Sequence, residues 1–180
     1  MILVGEPLAL DLLNTRWRDG DLLEDDAPFR DWLAAQQGRL TPPEAEVDLD
    51  AVRRLRQAVQ ECVEHVRAGG PPPAPALRVL NEALRHAPAY RELNWPHVLV
   101  RRGGDPTARL LAELAESAVD LLAGPDIGKV RGCAGPGCRL LFLPAHPRRR
   151  WCSAALCGNR VRVARYYRRH NATADGASPE

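Results

Sequence analysis

Four cysteines constrain this chain more than any other feature. They fall as two close pairs, Cys133-x4-Cys138 and Cys152-x4-Cys157, with 13 residues between the pairs. Two tight loops joined by an insert of hairpin length can bring four sulfurs to one point, the arrangement of a four-cysteine metal site. The first loop, Ala134-Gly-Pro-Gly137, has turn composition. The insert RLLFLPAHPRRRW predicts a strand over 140–143, a turn over 144–147 and a return strand over 148–151.

Two disulfides, a redox-active thiol or an iron–sulfur cluster would draw on the same residues. The opening MILVGEPLAL has neither the basic start nor the long apolar run of a signal peptide. A cytoplasmic, reducing setting is therefore expected, where clustered cysteines serve metals more than disulfides. The x4 spacing departs from the x2 of redox motifs, and no carboxylate lies nearby to orient a histidine. Four thiolates also suit iron. The expectation is one structural Zn2+ held by Cys133, Cys138, Cys152 and Cys157. The fifth cysteine, Cys62, falls on an apolar helical stripe and reads as core.

Charge separates the chain into two parts. Residues 1–130 hold 15 Lys and Arg against 21 Asp and Glu, whereas residues 131–170 hold 10 Arg and no carboxylate. All but one of the basic residues are Arg, so Arg abundance alone means little; forty residues without an acid mean more. A basic segment on an acidic domain implies a polyanionic partner for that segment.

The first 127 residues read as a mostly helical domain with a small sheet. A short helix covers 7–16, an acidic loop 19–26, and a second helix opens at Pro28. Thr41-Pro-Pro-Glu44 has capping-box spacing. Val52, Leu55, Val59, Cys62, Val63 and Val66 recur at helical steps, placing a helix over 48–68. Another spans 75–86 with Leu77, Leu80 and Leu84 on one side, and 97–101 reads as a strand. Asp105-Pro106 begins a helix to about 122, stopped by Gly124-Pro125. No apolar run is long enough to span a membrane.

After Cys157 the chain reads GNRVRVARYYRRH. At 100° per residue Val163, Tyr166, Tyr167 and His170 share one side, and Arg162, Arg165, Arg168 and Arg169 take the other half. A knuckle, a hairpin, then a helix beginning at the second ligand pair has the layout of a treble-clef finger. The fold class is thus α+β: a mostly helical domain over 1–127, a treble-clef-like four-cysteine zinc finger over 128–170, and a disordered tail over 171–180.

Cys157-Gly-Asn-Arg160, with Arg149-Arg-Trp-Cys-Ser153 before it, resembles the CGNR zinc-finger family. Gly5-x-Pro7-Leu-Ala-Leu-Asp-Leu-Leu-Asn-Thr15 resembles the opening of the ABATE-type domain that precedes such fingers. One departure is visible at Phe142-Leu-Pro-Ala-His-Pro147, where family members commonly carry an Asp after the strand. The resemblance implies a bacterial transcription regulator, sometimes described as stress-induced, with a DNA-binding finger and the same four cysteines as ligands.

On that reading Arg148, Arg149 and Arg150 contact phosphates, Arg162, Arg165 and Arg169 line a groove, and Asn159 and Arg160 are placed to reach base edges. RNA or an acidic protein surface is the alternative partner for the finger. Asp11, Asn14, Thr15 and Arg16 form a polar cluster on an otherwise apolar helix. They suit either a small-molecule effector or loop anchoring. With no Gly-rich phosphate loop, nucleophile elbow or helical pair of histidines, no enzymatic activity is expected.

Overall fold

A computed structural model of the chain describes residues 4–174, apart from the side chains of residues 168, 169 and 171–174. The elements follow in the order α1 (Leu8–Leu13), β1 (Arg16–Trp17), β2 (Gly20–Asp21), α2 (Asp26–Ala35), α3 (Leu49–Arg67), α4 (Ala74–His86), β3 (Ala89–Asn94), β4 (His97–Arg102) and α5 (Pro106–Ala123). The C-terminal part adds β5 (Arg131–Gly132), β6 (Leu141–Phe142), a π-helical turn (Ala154–Gly158) and α6 (Asn159–Ala174). Among the described residues three antiparallel two-stranded sheets result, β1–β2, β3–β4 and β5–β6. The class is the expected one, mostly helical with small sheets.

The core is a helical layer of α3, α4 and α5 with α1 laid across α5. The α3 stripe reads directly into it: Val52, Leu55, Val59, Cys62 and Val63 are all buried. Asp48 caps this helix, its Oδ1 accepting from the amides of Asp50 at 2.8 Å and Ala51 at 3.1 Å. Asp105 caps α5 in the same way through the Ala108 amide.

Several local expectations are corrected. Residues 41–44 begin no helix. A helix capped at Thr41 would need Pro42 in helical backbone, and the proline after it pushes Pro42 to extended backbone instead. The Thr41 amide donates instead to Glu113 on α5. In α4, Ala76, Leu80 and Ala83 face the core while Leu77 is partly exposed. The segment after α1 is not a plain loop but the tight β1–β2 hairpin. The 97–101 strand is one half of an arm whose other half is β3.

In the finger the return strand over 148–151 is absent. Its place beside β6 is taken by β5, ahead of the first cysteine, with Arg131 opposite Phe142 and Gly132 opposite Leu141. The first knuckle therefore closes the hairpin itself. Residues 148–151 instead form a loop tied to that knuckle, the Ala134 amide donating to the Arg150 carbonyl at 2.9 Å. Helix α6 runs through residues 171–174, the first part of the expected tail; residues 175–180 lie outside the described residues.

Candidate metal centre and basic surface

The two halves of the chain meet along α1 and β6. Asn14, just past the end of α1, donates from Nδ2 to the Leu141 carbonyl at 2.9 Å and accepts the Leu141 amide on Oδ1 at 2.9 Å. Glu6 accepts the Leu143 amide at 2.8 Å and pairs with the Arg149 guanidinium at 2.5 Å. Arg149 donates further to the carbonyls of Trp151 and Cys152 and lies over the Phe142 ring, 4.5 Å from its centroid. Expected at phosphates, Arg149 is turned inward and binds the finger to the helical domain.

The polar cluster of α1 is likewise occupied by the chain itself. The buried Asp11 carboxylate accepts from the amides of Gly5 and Glu6, from Gln36 and from Arg39 at 2.5 Å. Thr15 donates to the Leu12 carbonyl and accepts from Arg56, which also forks onto Asp21 at 2.5 and 2.6 Å. Arg16 is exposed in β1, opposite Asp21. Glu6, Gln36, Arg39 and Arg56 were not singled out from the sequence. Of these only Glu6 left a signal, as the unspecified position of Gly5-x-Pro7.

Helix α1 thus supports a finger whose four cysteines converge. The sulfurs of Cys133, Cys138, Cys152 and Cys157 all lie within 4.8 Å of one another, with Cys138 and Cys152 at 3.9 Å. A tetrahedron with bonds of about 2.3 Å to zinc has edges of about 3.8 Å, so the donor set fits that ion. Gly137 sits at φ +70°, the left-handed turn that closes the first knuckle. Ser153 starts the π-helical turn by accepting the Leu156 amide, and that turn presents Cys157.

The electrostatics point the same way. Burial, then the neighbouring Cys133 and Cys157 sulfurs, push the Cys138 thiol up to about 11 against the pull of the Leu140 amide. Burial and the other sulfurs raise Cys152 further. Burial also acts on Cys133, but there the amides of Cys152 at 3.3 Å and Gly135 at 3.4 Å outweigh it and hold the thiol below its ordinary value. Four thiols this close do not all ionise unaided, and a divalent cation held between them would supply the compensating charge.

The Cys157-Gly-Asn-Arg160 segment now has a physical reading. A side chain on Gly158 would meet the Trp151 ring at 3.2 Å, so glycine lets the indole lie against the turn. Arg160 reaches back to the Cys157 sulfur at 3.4 Å and the Pro136 carbonyl at 3.5 Å. Asn159 opens α6 and is exposed.

The Gly5 to Thr15 opening and the helical core belong to one recognised unit: residues 6–125 match the ABATE family, described as "putative stress-induced transcription regulator". The chain belongs to the ABATE family. Residues 129–170 match the CGNR zinc finger, so the finger that α1 carries is the second domain of an ABATE–CGNR pair. These families point to a transcription regulator rather than an enzyme. No match is found among curated proteins. No helix among the described residues is long and apolar enough to cross a membrane.

The arginines of this ABATE–CGNR protein divide by environment. Arg148, Arg150, Arg162 and Arg165 are exposed, Arg150 lying 5.4 Å from the Trp151 centroid. The side chain of Arg169, expected along the groove, lies outside the described residues, as does that of Arg168. Helix α6 packs by its first turns, where Val161 is buried. Beyond them Val163, Tyr166 and Tyr167 are exposed as well as the arginines, with Tyr166 stacked on His170 at 3.9 Å. The helix therefore stands out from the body on both faces.

Proposed function

We propose that this chain is a zinc-dependent DNA-binding transcription regulator whose finger holds the duplex and whose ABATE domain supports the finger. The observation that carries this reading is the separation of charge: the finger has ten arginines and no carboxylate. Glu6, an acid of the helical domain that does touch it, is spent on Arg149.

One structural Zn2+ is bound by Cys133, Cys138, Cys152 and Cys157. It supplies cross-linking that a finger this small cannot obtain from its own core, roughly 10–16 kcal/mol in apparent binding free energy. Arg148 and Arg150 on the loop and Arg162, Arg165 and Arg169 on α6 engage phosphates. Asn159, exposed where α6 begins, suits an adenine edge. Arg160 rests on a ligand sulfur and adds charge to the metal site before it adds anything to base reading. Arg149 and the Asp11, Asn14 and Thr15 cluster position the finger.

RNA is the second reading, favoured by the exposed Tyr166 and Tyr167 beside arginines, since unpaired bases stack on such rings. Equilibrium binding of the zinc-loaded full chain to random duplex DNA, with structured RNA as competitor, separates the two. Four or five phosphate contacts predict that log K falls with log salt at a slope of about −4. A salt-insensitive complex, or preference for RNA at fixed salt, would sink the DNA reading.

A further inference from the structure

The loop that joins the first two cysteines is overlaid by two guanidinium groups from distant parts of the sequence. That loop is Ala134-Gly-Pro-Gly137. A side chain on Gly135 would meet Arg160 Nη2 at 3.5 Å, and one on Gly137 would meet Arg18 Nη1 at 3.0 Å and Cδ at 3.3 Å. Arg160 belongs to α6, whereas Arg18 lies in the turn of the β1–β2 hairpin of the ABATE domain. Each glycine of the knuckle is bare where an arginine lies against it.

The hairpin is fixed from behind. Arg56 of α3 forks onto Asp21 of β2, and Leu22 and Leu23 just after it are buried. Its tip shares a pocket of about 190 Å3 with the metal centre: Trp17 and Arg18 line it together with Cys138, Cys152, Cys157 and Arg160. Asp19 lines it too and pairs with Arg18 at 3.4 Å. Both members of that pair are largely exposed, so it takes up little of the guanidinium's interaction.

Four thiolates around one Zn2+ carry two negative charges in excess, and the outer groups that offset such charge tune how tightly the metal is held. Arg160 supplies one positive charge from the finger. We propose that Arg18 supplies the second and is a positioning residue of the metal centre, so that the ABATE hairpin and the finger hold the zinc jointly. The inference rests on the reading of Cys133, Cys138, Cys152 and Cys157 as zinc ligands. Docking of the two domains and metal affinity are then coupled: what displaces the hairpin loosens the metal, and metal uptake draws the hairpin onto the knuckle.

Cobalt titration of the full chain against a competing chelator tests it in an Arg18 series. Arg18→Lys should stay close to wild type, Arg18→Ala should bind about 3-fold more weakly and Arg18→Glu about 10-fold. The effect is one of charge at an exposed side chain, so the deficit of Arg18→Glu should shrink as salt rises. Arg78→Glu makes the same change of charge on α4, which packs on α3 and α5, and should leave the affinity unchanged. Helical circular dichroism should be the same in every variant. Equal affinity in wild type and Arg18→Glu overturns the proposal, as does a deficit indifferent to salt or matched by Arg78→Glu. A wild-type chain that takes up no cobalt contradicts the zinc reading and this inference with it, whereas normal uptake with a flat Arg18 series contradicts this inference alone.

Discussion

Asn14 and Leu141 exchange two hydrogen bonds, both at 2.9 Å, so that a side-chain amide at the end of α1 completes the free edge of β6. An amide donates from one atom and accepts on its neighbour as a backbone peptide does, whereas a carboxylate has no donor and a hydroxyl must do both through a single oxygen. The contact ties the ABATE core to the hairpin that carries the first two cysteines.

Removing it should loosen the finger without dissolving the helical core. Asn14→Ala is expected to cost about 1–3 kcal/mol, because the Leu141 amide and carbonyl lose partners in a partly buried place. Asn14→Asp should cost more, since a carboxylate oxygen then faces the Leu141 carbonyl. Thermal unfolding of the zinc-loaded protein measures both. A stability equal to wild type in either variant would show that Asn14 does not hold the finger.

Arg148 and Arg149 are neighbours with opposite expected phenotypes. Arg148→Ala should leave the melting temperature unchanged, weaken DNA binding across sequences and reduce the salt slope by about 1. Arg149→Ala should lower the melting temperature, because Glu6 and the Trp151 and Cys152 carbonyls lose their donor. Equal effects of the two substitutions on salt slope would contradict the division.

Metal content should follow the sulfurs and the guanidinium beside them. Cobalt titration is expected to give one tetrahedral thiolate site per chain, lost on Cys-to-Ser substitution at any of the four positions. Arg160→Ala should weaken metal affinity by about 10-fold, as loss of outer-sphere partners commonly does. Arg162→Ala should not. Unchanged affinity in Arg160→Ala would detach this arginine from the metal site.

The helical domain should carry an acid-sensitive bond at Asp21. Burial raises its carboxyl, but hydrogen bonds from Arg56 and the Leu23 amide outweigh that and hold it below the ordinary 3.8. The folded state then binds fewer protons than the unfolded one, so this stability is present above the unfolded value and is lost as pH falls through the lower folded value. Asp21→Asn should flatten the acid limb of a stability–pH curve below about pH 4. An acid limb identical to wild type would mean that the ion pair does not contribute.

What could be read from the sequence was what is local. Asp48 and Asp105 mark the helix starts because a cap needs only its own next three residues, and the α3 stripe shows because burial repeats every turn. The cysteine spacing announces the metal site for the same reason: each pair closes through its own loop. The β5–β6 pairing escaped because two-residue strands have no period, and Thr41 misled because two prolines undo the cap that its spacing suggests. The docking of the halves joins residues 127 positions apart in sequence. Glu6 is an ordinary loop residue, and Asn14 only one member of a polar cluster, until their partners in the finger are known.

Selection of bound sequences from random duplex DNA by the zinc-loaded full-length protein, run beside a chelator-treated sample, tests the central claim most directly. Enrichment of one motif that disappears with chelator is the predicted result. Failure to enrich any sequence, or enrichment indifferent to zinc, would contradict a finger that folds on metal and reads DNA.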